Sequence, residues 1–228
     1  MINLKKFRYE RKFLISGINK TEIESIIKLH PAMFSEIFSE RYVRNIYFDT
    51  FEKNNYFENI NGNSERMKVR IRWYGSLFGK IENPTLELKI KKGLLGQKKR
   101  FSLLPFKLDH NIDYLDFFAL VEKSGISEEI DKIGLKSLFP VILNGYKRKY
   151  FLSADKEYRI TIDSDQIFYA IDKRNNSFMN KQKDRVNIII ELKYDFNADK
   201  NADKITNISP FRLSKNSKYV NGVNVCYY

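Results

Sequence analysis

Seven segments of this chain alternate charged and apolar residues with a period of two, which is the period of a β-strand. The two longest set the pattern. In one, Arg66, Lys68, Arg70 and Arg72 fall on one face, with Val69 and Ile71 on the other. In the next, Glu87, Lys89 and Lys91 oppose Leu88 and Ile90, and Gly93 and Gly96 mark the turn that follows. The pattern returns around Glu10 and Lys12, Lys98 and Arg100, Arg148, Arg159 and Thr161, and Glu191 and Lys193. A single strand of this kind is read most simply as half-buried, with its charges in water. Recurrence changes that reading, because all seven segments can present their charges on one surface, and that surface is mostly cationic. Like charges facing each other destabilise a sheet, so a surface of one sign points to a polyanionic ligand.

Such strands have two solutions. The apolar faces pack together in a sandwich with the charges outside, or the sheet closes into a barrel with the charges inside and helices covering the apolar exterior. The second requires buried charges to be paired or matched by a ligand. A chain of phosphates is such a ligand, since Arg and Lys can satisfy its oxygens without water.

The bulk properties agree with one folded domain over residues 1–228. Hydrophobic residues make up 43% and aromatics 14%, enough for a sizeable core, and neither an internal repeat nor a Pro/Gly/Ser linker divides the chain. Lys and Arg number 41 against 28 acidic residues, a net charge of +13, which favours nucleic acid, acidic lipid or polyphosphate as partners. The single Cys226 excludes an intrachain disulfide and a Cys-built zinc site. Neither a signal peptide nor an apolar run of membrane-spanning length is present in the sequence as given, so a cytoplasmic location is expected.

The remaining elements follow from local signals. Asn19 and Glu22 have capping-box spacing ahead of Ile23, Ile26 and Ile27, predicting a helix over 20–29 that Pro31 stops. Tyr42 to Thr50 reads as a strand, and Asn61-Gly62-Asn63 as a turn. Helices are expected between Asp113 and Gly125 and from Ser127 towards Pro140, covering the outside of the sheet, after which strands run from Ile142 to about Ala170. Lys173 to Arg185 and Asn197 to Asn207 read as polar loops. Ser209-Pro210 is expected to start a short C-terminal helix carrying Lys215, Ser217 and Lys218.

The ordered set Tyr-Glu-Arg-Lys-Phe (9–13), Ile-Tyr-Phe-Asp-Thr (46–50), Lys-Val-Arg-Ile-Arg-Trp-Tyr (68–74), Leu-Glu-Leu-Lys-Ile-Lys (86–91), Lys-Lys-Arg-Phe (98–101), Tyr-Lys-Arg-Lys-Tyr-Phe (146–151), Arg-Ile-Thr-Ile-Asp (159–163), Ile-Glu-Leu-Lys (190–193) and Ser-Lys-Asn-Ser-Lys-Tyr-Val-Asn-Gly-Val (214–223) resembles the VTC domain. That domain is the polyphosphate polymerase branch of the triphosphate tunnel metalloenzymes, relatives of the CYTH proteins. The resemblance implies an α+β fold, an antiparallel β-barrel enclosing a basic triphosphate tunnel, with helices packed outside. It also implies transfer of the γ-phosphate of ATP to a growing polyphosphate chain. By the same resemblance Lys12, Arg70, Arg72, Lys89, Lys98, Arg148 and Arg159 hold the triphosphate and product. Tyr146 contacts phosphate, Lys215, Ser217 and Lys218 close on the substrate, and Glu191 binds Mn²⁺ or Mg²⁺. Arg66, Lys68, Arg100 and Lys193 share the same strand faces and are substrate-binding candidates, as is Lys91, which stands where some members have His. Glu10 and Glu87 are further metal ligands or structural partners of neighbouring cations.

This chemistry suits the residues. Phosphoryl transfer needs positioning and charge neutralisation, with little covalent work from protein. A hard divalent cation takes one or two carboxylates plus phosphate and water oxygens. Clustered lysines are expected to have pKa values lowered by their like-charged neighbours. Two alternatives stand beside polymerisation: hydrolysis of tripolyphosphate or a nucleoside triphosphate, and non-catalytic polyanion binding. Asp163 and Asp165 read as a metal pair or, more simply, a strand end. His30 and His110 read as surface residues, and no pattern for specific nucleic-acid readout is present. Eukaryotic relatives couple synthesis to a membrane channel, so translocation here would need a separate membrane partner.

Overall fold

The computed structural model describes residues 8–92, 95–109, 114–126, 128, 131, 134–172, 178, 180–207 and 210–228. Along the chain these form β1 (Arg8–Ile15), α1 (Lys20–Lys28), β2 (Ser35–Asp49), α2 (Asn54–Asn61), β3 (Glu65–Tyr74), β4 (Gly79–Ile81), β5 (Thr85–Lys92), β6 (Leu95–Ser102), β7 (Phe106–Leu108), α3 (Tyr114–Lys123), β8 (Phe139–Leu152), β9 (Tyr158–Ala170), β10 (Lys181–Asp184), β11 (Ile188–Asp195), α4 (Asp199–Thr206) and α5 (Lys218–Tyr227). The fold is α+β and mostly antiparallel. The main sheet has the order β1-β11-β9-β8-β2-β3-β5-β6, with β10 on β9, while β4 and β7 pair separately. Among the described residues β1 and β6, at the two ends of that order, are not paired, so the closed barrel expected from sequence is not found.

The chain divides into two compact units, the first comprising residues 1–41, 146–166 and 184–216, the second residues 42–145, 167–183 and 217–228. In the first unit the apolar sides of β1, β9 and β11 bury Phe13, Ile160, Ile162, Ile190 and Leu192. Helices α1 and α4 cover them with Ile23, Ile27, Ala202 and Ile205. The capping box forms as its spacing predicts: the Asn19 side chain accepts from the Glu22 amide at 3.0 Å, and Glu22 accepts from the Asn19 amide at 3.1 Å.

Two expectations fail in this unit. The polar stretch 197–207 is a 3₁₀ turn followed by α4, because Ala202 and Ile205, three apart, give one helix face enough apolar surface to dock. His30 is buried rather than on the surface. Its Nδ1 accepts from the Ala32 amide, so Nε2 carries the proton and donates to the Ile205 carbonyl, each at 3.0 Å. His110 lies outside the described residues.

In the second unit Val69, Ile71, Trp73, Leu86 and Leu88 form the buried side of β3 and β5, closed by Phe117, Leu120 and Val121 of α3. Strand β2 starts earlier than expected, at Ser35. The turn expected at Gly62 is present and closes a helix, α2, that the sequence reading did not include; its φ of 73° favours glycine. The α2 N-terminus has no cap of its own; Asp49 accepts from the Asn55 and Tyr56 amides at 2.9 and 3.0 Å and from Thr50 at 2.7 Å. Strand β10 occupies part of the expected 173–185 loop, whose residues 173–177 and 179 lie outside the described set; of the helix expected from Ser127 towards Pro140, residues 127, 129, 130, 132 and 133 lie outside it, and Leu135–Ser137 form a 3₁₀ turn.

The C-terminal helix starts at Lys218, not Pro210, with Ser217 as its N-cap; Ser209 lies outside the described residues. It packs Tyr219 and Val223 against Tyr47, Ile142 and Phe168. Tyr47 accepts a hydrogen bond from Arg70, so this one helix lies on the charged side of the strands, unlike the outer helices expected. Gly222 permits the approach, since a Cβ there would meet Phe168 at 2.8 Å and Ile142 at 2.9 Å. Gly222→Ala should therefore destabilise the protein by about 1–3 kcal/mol despite its gain in helix propensity. Urea unfolding checks this; an unchanged or raised midpoint would show that the helix is not so tightly seated.

Candidate functional site

Each unit carries its own set of converging charges. In the second unit the register places Lys68, Lys89 and Lys98 in one row across β3, β5 and β6, and Arg70, Glu87 and Arg100 in the next. Arg66 faces Lys91, and Arg72 faces Thr85. Eight cations thus share these strand faces with one carboxylate, Glu87. That carboxylate is only 5% exposed and is enclosed: Arg70 reaches it through Nε at 2.8 Å and Nη2 at 2.6 Å, Lys98 at 2.7 Å, Arg100 at 3.3 Å and Arg72 at 3.6 Å. Burial alone would raise its pKa, but Arg70, Arg72 and Lys98 outweigh that and hold it well below the usual carboxylate range. Glu87 is therefore placed as the counter-ion of four cations. Lys68 donates to the Ser217 hydroxyl at 2.9 Å, tying β3 to the start of α5, where Lys218 is buried and Lys215 exposed. Lys89 and Arg100 are also exposed.

In the first unit Glu191 is the hub. Its Oε1 lies 3.3 Å from Lys12 Nζ, and its Oε2 lies 3.2 Å from Arg148 and 2.5 Å from Lys193. Lys12 also reaches Glu10 at 3.0 Å and the Asn216 carbonyl at 3.1 Å. Arg148 holds Asp163 through two bonds of 2.5 Å and lies over the ring of buried Tyr146. Exposed Arg159 sits directly opposite Lys193, another like-charge pair.

Asp163 was read as half of a metal pair or as a strand end. It is not a strand end, since β9 continues to Ala170; its carboxylate bonds Arg148, while Asp165, in the left-handed region with φ of 51°, pairs with Lys147 at 2.9 Å.

The lysines titrate differently from one another. Burial works against the charge of Lys12, yet Glu191 and Glu10 outweigh it and raise its pKa. Lys91, Lys193 and Lys98 are lowered, the direction expected of clustered lysines, with burial the leading cause and like charges second to it. Lys98 falls to about 8, burial and the charges of Arg70 and Arg72 overcoming its bond to Glu87. Tripolyphosphate affinity should accordingly fall as pH rises through about 8, by about fivefold for a half-exposed contact, and Lys98→Met should flatten that limb. Calorimetric titrations at several pH values test this; superimposable profiles for variant and parent would refute it.

The residues also bear on a divalent metal. Among the described residues no three acidic, His or Cys side chains converge as a cage. The donor set instead offers Glu191 and Glu10, linked through Lys12, and two buried oxygens without a partner, Thr161 Oγ1 and Asn216 Oδ1. Thr161 is 1% exposed and lies opposite Glu191 in the register. Hard oxygen donors few in number, beside unsatisfied buried oxygens, fit a cation whose remaining ligands are phosphate and water. Sequence reasoning gave no role to Thr161, Asn216 or the buried Asn45 and Asn144, none of which alters the charge pattern.

The strand faces are thus mostly basic, with Glu87 and Glu191 each enclosed by cations, in a fold of the α+β class. The VTC domain family matches residues 7–227, and the chain belongs to that family. No curated protein matches the sequence. Among solved structures it is similar to the PH1819 protein from Pyrococcus horikoshii OT3, at 11% identity and a TM-score of 0.53, covering 95% of this chain and 99% of that one. It is also similar to a protein from Vibrio parahaemolyticus described as a "putative adenylate cyclase", at 9% identity and a TM-score of 0.50, covering 94% and 97%. At these identities the likeness is one of fold. Among the described residues no helix is long and apolar enough to cross a membrane.

Proposed function

We propose that this chain is a metal-dependent polyphosphate polymerase that uses ATP, of the triphosphate tunnel type, and the tunnel implied by the family resemblance is part of that proposal. The observation that carries the reading is the row Lys68, Lys89 and Lys98, flanked by Arg66 and Lys91 on one side and by Arg70 and Arg100 on the other. Like charges held opposite one another on three adjacent strands are unfavourable until a polyanion lies along them.

In the reaction, a terminal oxygen of the polyphosphate chain attacks the γ-phosphorus of ATP. A new P–O–P bond forms, and the bond to ADP breaks. Arg70, Arg72, Lys89 and Lys98 bind and orient phosphate oxygens, as do Lys12, Arg148 and Arg159, and their charges neutralise those that build up in the transition state. Glu87 and Asp163 hold Arg70 and Arg148 in place, so little side-chain freedom is lost on binding. Lys68 and Ser217 tie β3 to the start of α5, and Lys218, the first residue of that helix, would close on the substrate. Glu191 and Glu10 would hold Mn²⁺ or Mg²⁺, which when bound supplies charge neutralisation at the β- and γ-phosphates.

Incubating the purified protein with ATP and Mn²⁺ and resolving the products tests the reading. ADP with chains of many phosphates is expected. Free phosphate without chains would replace polymerisation by triphosphate hydrolysis, and tight tripolyphosphate binding without turnover would leave a binding module.

A further inference from the structure

Arg72 differs from its neighbour Arg70 in what fixes it. Arg70 is held by a carboxylate, whereas Arg72 Nε donates at 2.8 Å to the side-chain oxygen of Asn45, the residue opposite it in the register. The Asn45 amide nitrogen donates to the Asn144 side-chain oxygen at 3.2 Å, and the Asn144 nitrogen donates to the Ile167 carbonyl at 3.1 Å. Both asparagines are fully buried, and all four residues belong to the second unit.

The ends of this chain of bonds leave no choice of direction. A guanidinium can only donate and a backbone carbonyl can only accept. Asn144 must therefore turn its nitrogen to Ile167 and its oxygen to Asn45, which in turn must present its oxygen to Arg72. The alternative rotamer of either amide would set nitrogen against nitrogen or oxygen against oxygen in a site without solvent. We infer that Asn45 and Asn144 are positioning residues, an uncharged relay from the Ile167 carbonyl that aims the Arg72 guanidinium without neutralising it. A carboxylate at Asn45 would hold Arg72 equally well but would add a second negative charge to that of Glu87, which lies 3.6 Å from Arg72, while the amide adds none. The inference rests on the reading of Arg72 as a phosphate contact.

Two readouts test it, one independent of that reading. By NMR, the Arg72 Nε–H, assigned by its disappearance in Arg72→Lys, should exchange slowly with solvent in the parent and about tenfold faster in Asn144→Leu. Unchanged exchange would overturn the relay. By calorimetry, Asn144→Leu should weaken tripolyphosphate binding about tenfold on the parent background but less than twofold on Arg72→Ala. A loss of equal size on both backgrounds would show a merely structural role and would also overturn it. Asn144→Ala replaces Asn144→Leu if the latter does not fold, with the same expectations. Should Arg72→Ala bind tripolyphosphate as tightly as the parent while Asn144→Leu still speeds Nε–H exchange, the relay is upheld and the phosphate reading of Arg72 falls.

Discussion

Glu191→Gln should lower metal-dependent turnover of ATP by about a hundredfold or more, with metal-free tripolyphosphate binding undiminished. The two halves of that result come from the same geometry. Glu191 is 6% exposed, and its oxygens are shared among Lys12, Arg148 and Lys193. In the proposed metal role, removing its charge takes away a carboxylate ligand of the divalent cation and also frees Lys12, Arg148 and Lys193 for phosphate. Glutamine keeps the size and one acceptor, so the fold is perturbed less than by alanine. Loss of both turnover and binding would mean that Glu191 acts as scaffold alone, and unchanged turnover would remove it from the metal role.

Arg148→Ala should destabilise the protein by about 3–5 kcal/mol, the largest effect on stability expected of any site residue. Asp163 is 0% exposed, and both its oxygens bond Arg148. Without the guanidinium a carboxylate is left in a site that water does not reach. The cost arises from that stranded charge, not from the attraction lost. Arg148→Met combined with Asp163→Leu should consequently recover much of the stability while still failing to bind tripolyphosphate tightly. Urea denaturation of the single and double variants decides the matter. A single variant within about 1 kcal/mol of the parent would show that Asp163 finds another partner.

The part of this architecture readable from sequence is the part governed by short periods. Alternation along β3 and β5 told which residues share a face, and the spacing of Asn19 and Glu22 told where α1 begins. The strand partners were not readable, because register depends on residues distant in the chain: Lys68 meets Lys89 and Lys98 only through β3–β5–β6 pairing. Helix α2 escaped notice because its N-terminus is capped by Asp49, which belongs to the preceding strand. The role of Asp163 was hidden by Asp165, whose left-handed backbone breaks the alternation at that point. Of the site, the cations were legible because charge interrupts an apolar pattern. Asn45, Asn144 and Thr161 were not, since neutral polar residues on a strand interrupt nothing, and their meaning lies in burial and partners.

The most direct test of polymerisation is to follow γ-labelled ATP with unlabelled tripolyphosphate as primer in the presence of Mn²⁺. Label entering chains longer than the primer, with one ADP formed for each phosphate added, is the predicted result. Label released as free phosphate, with the primer unextended, would contradict it.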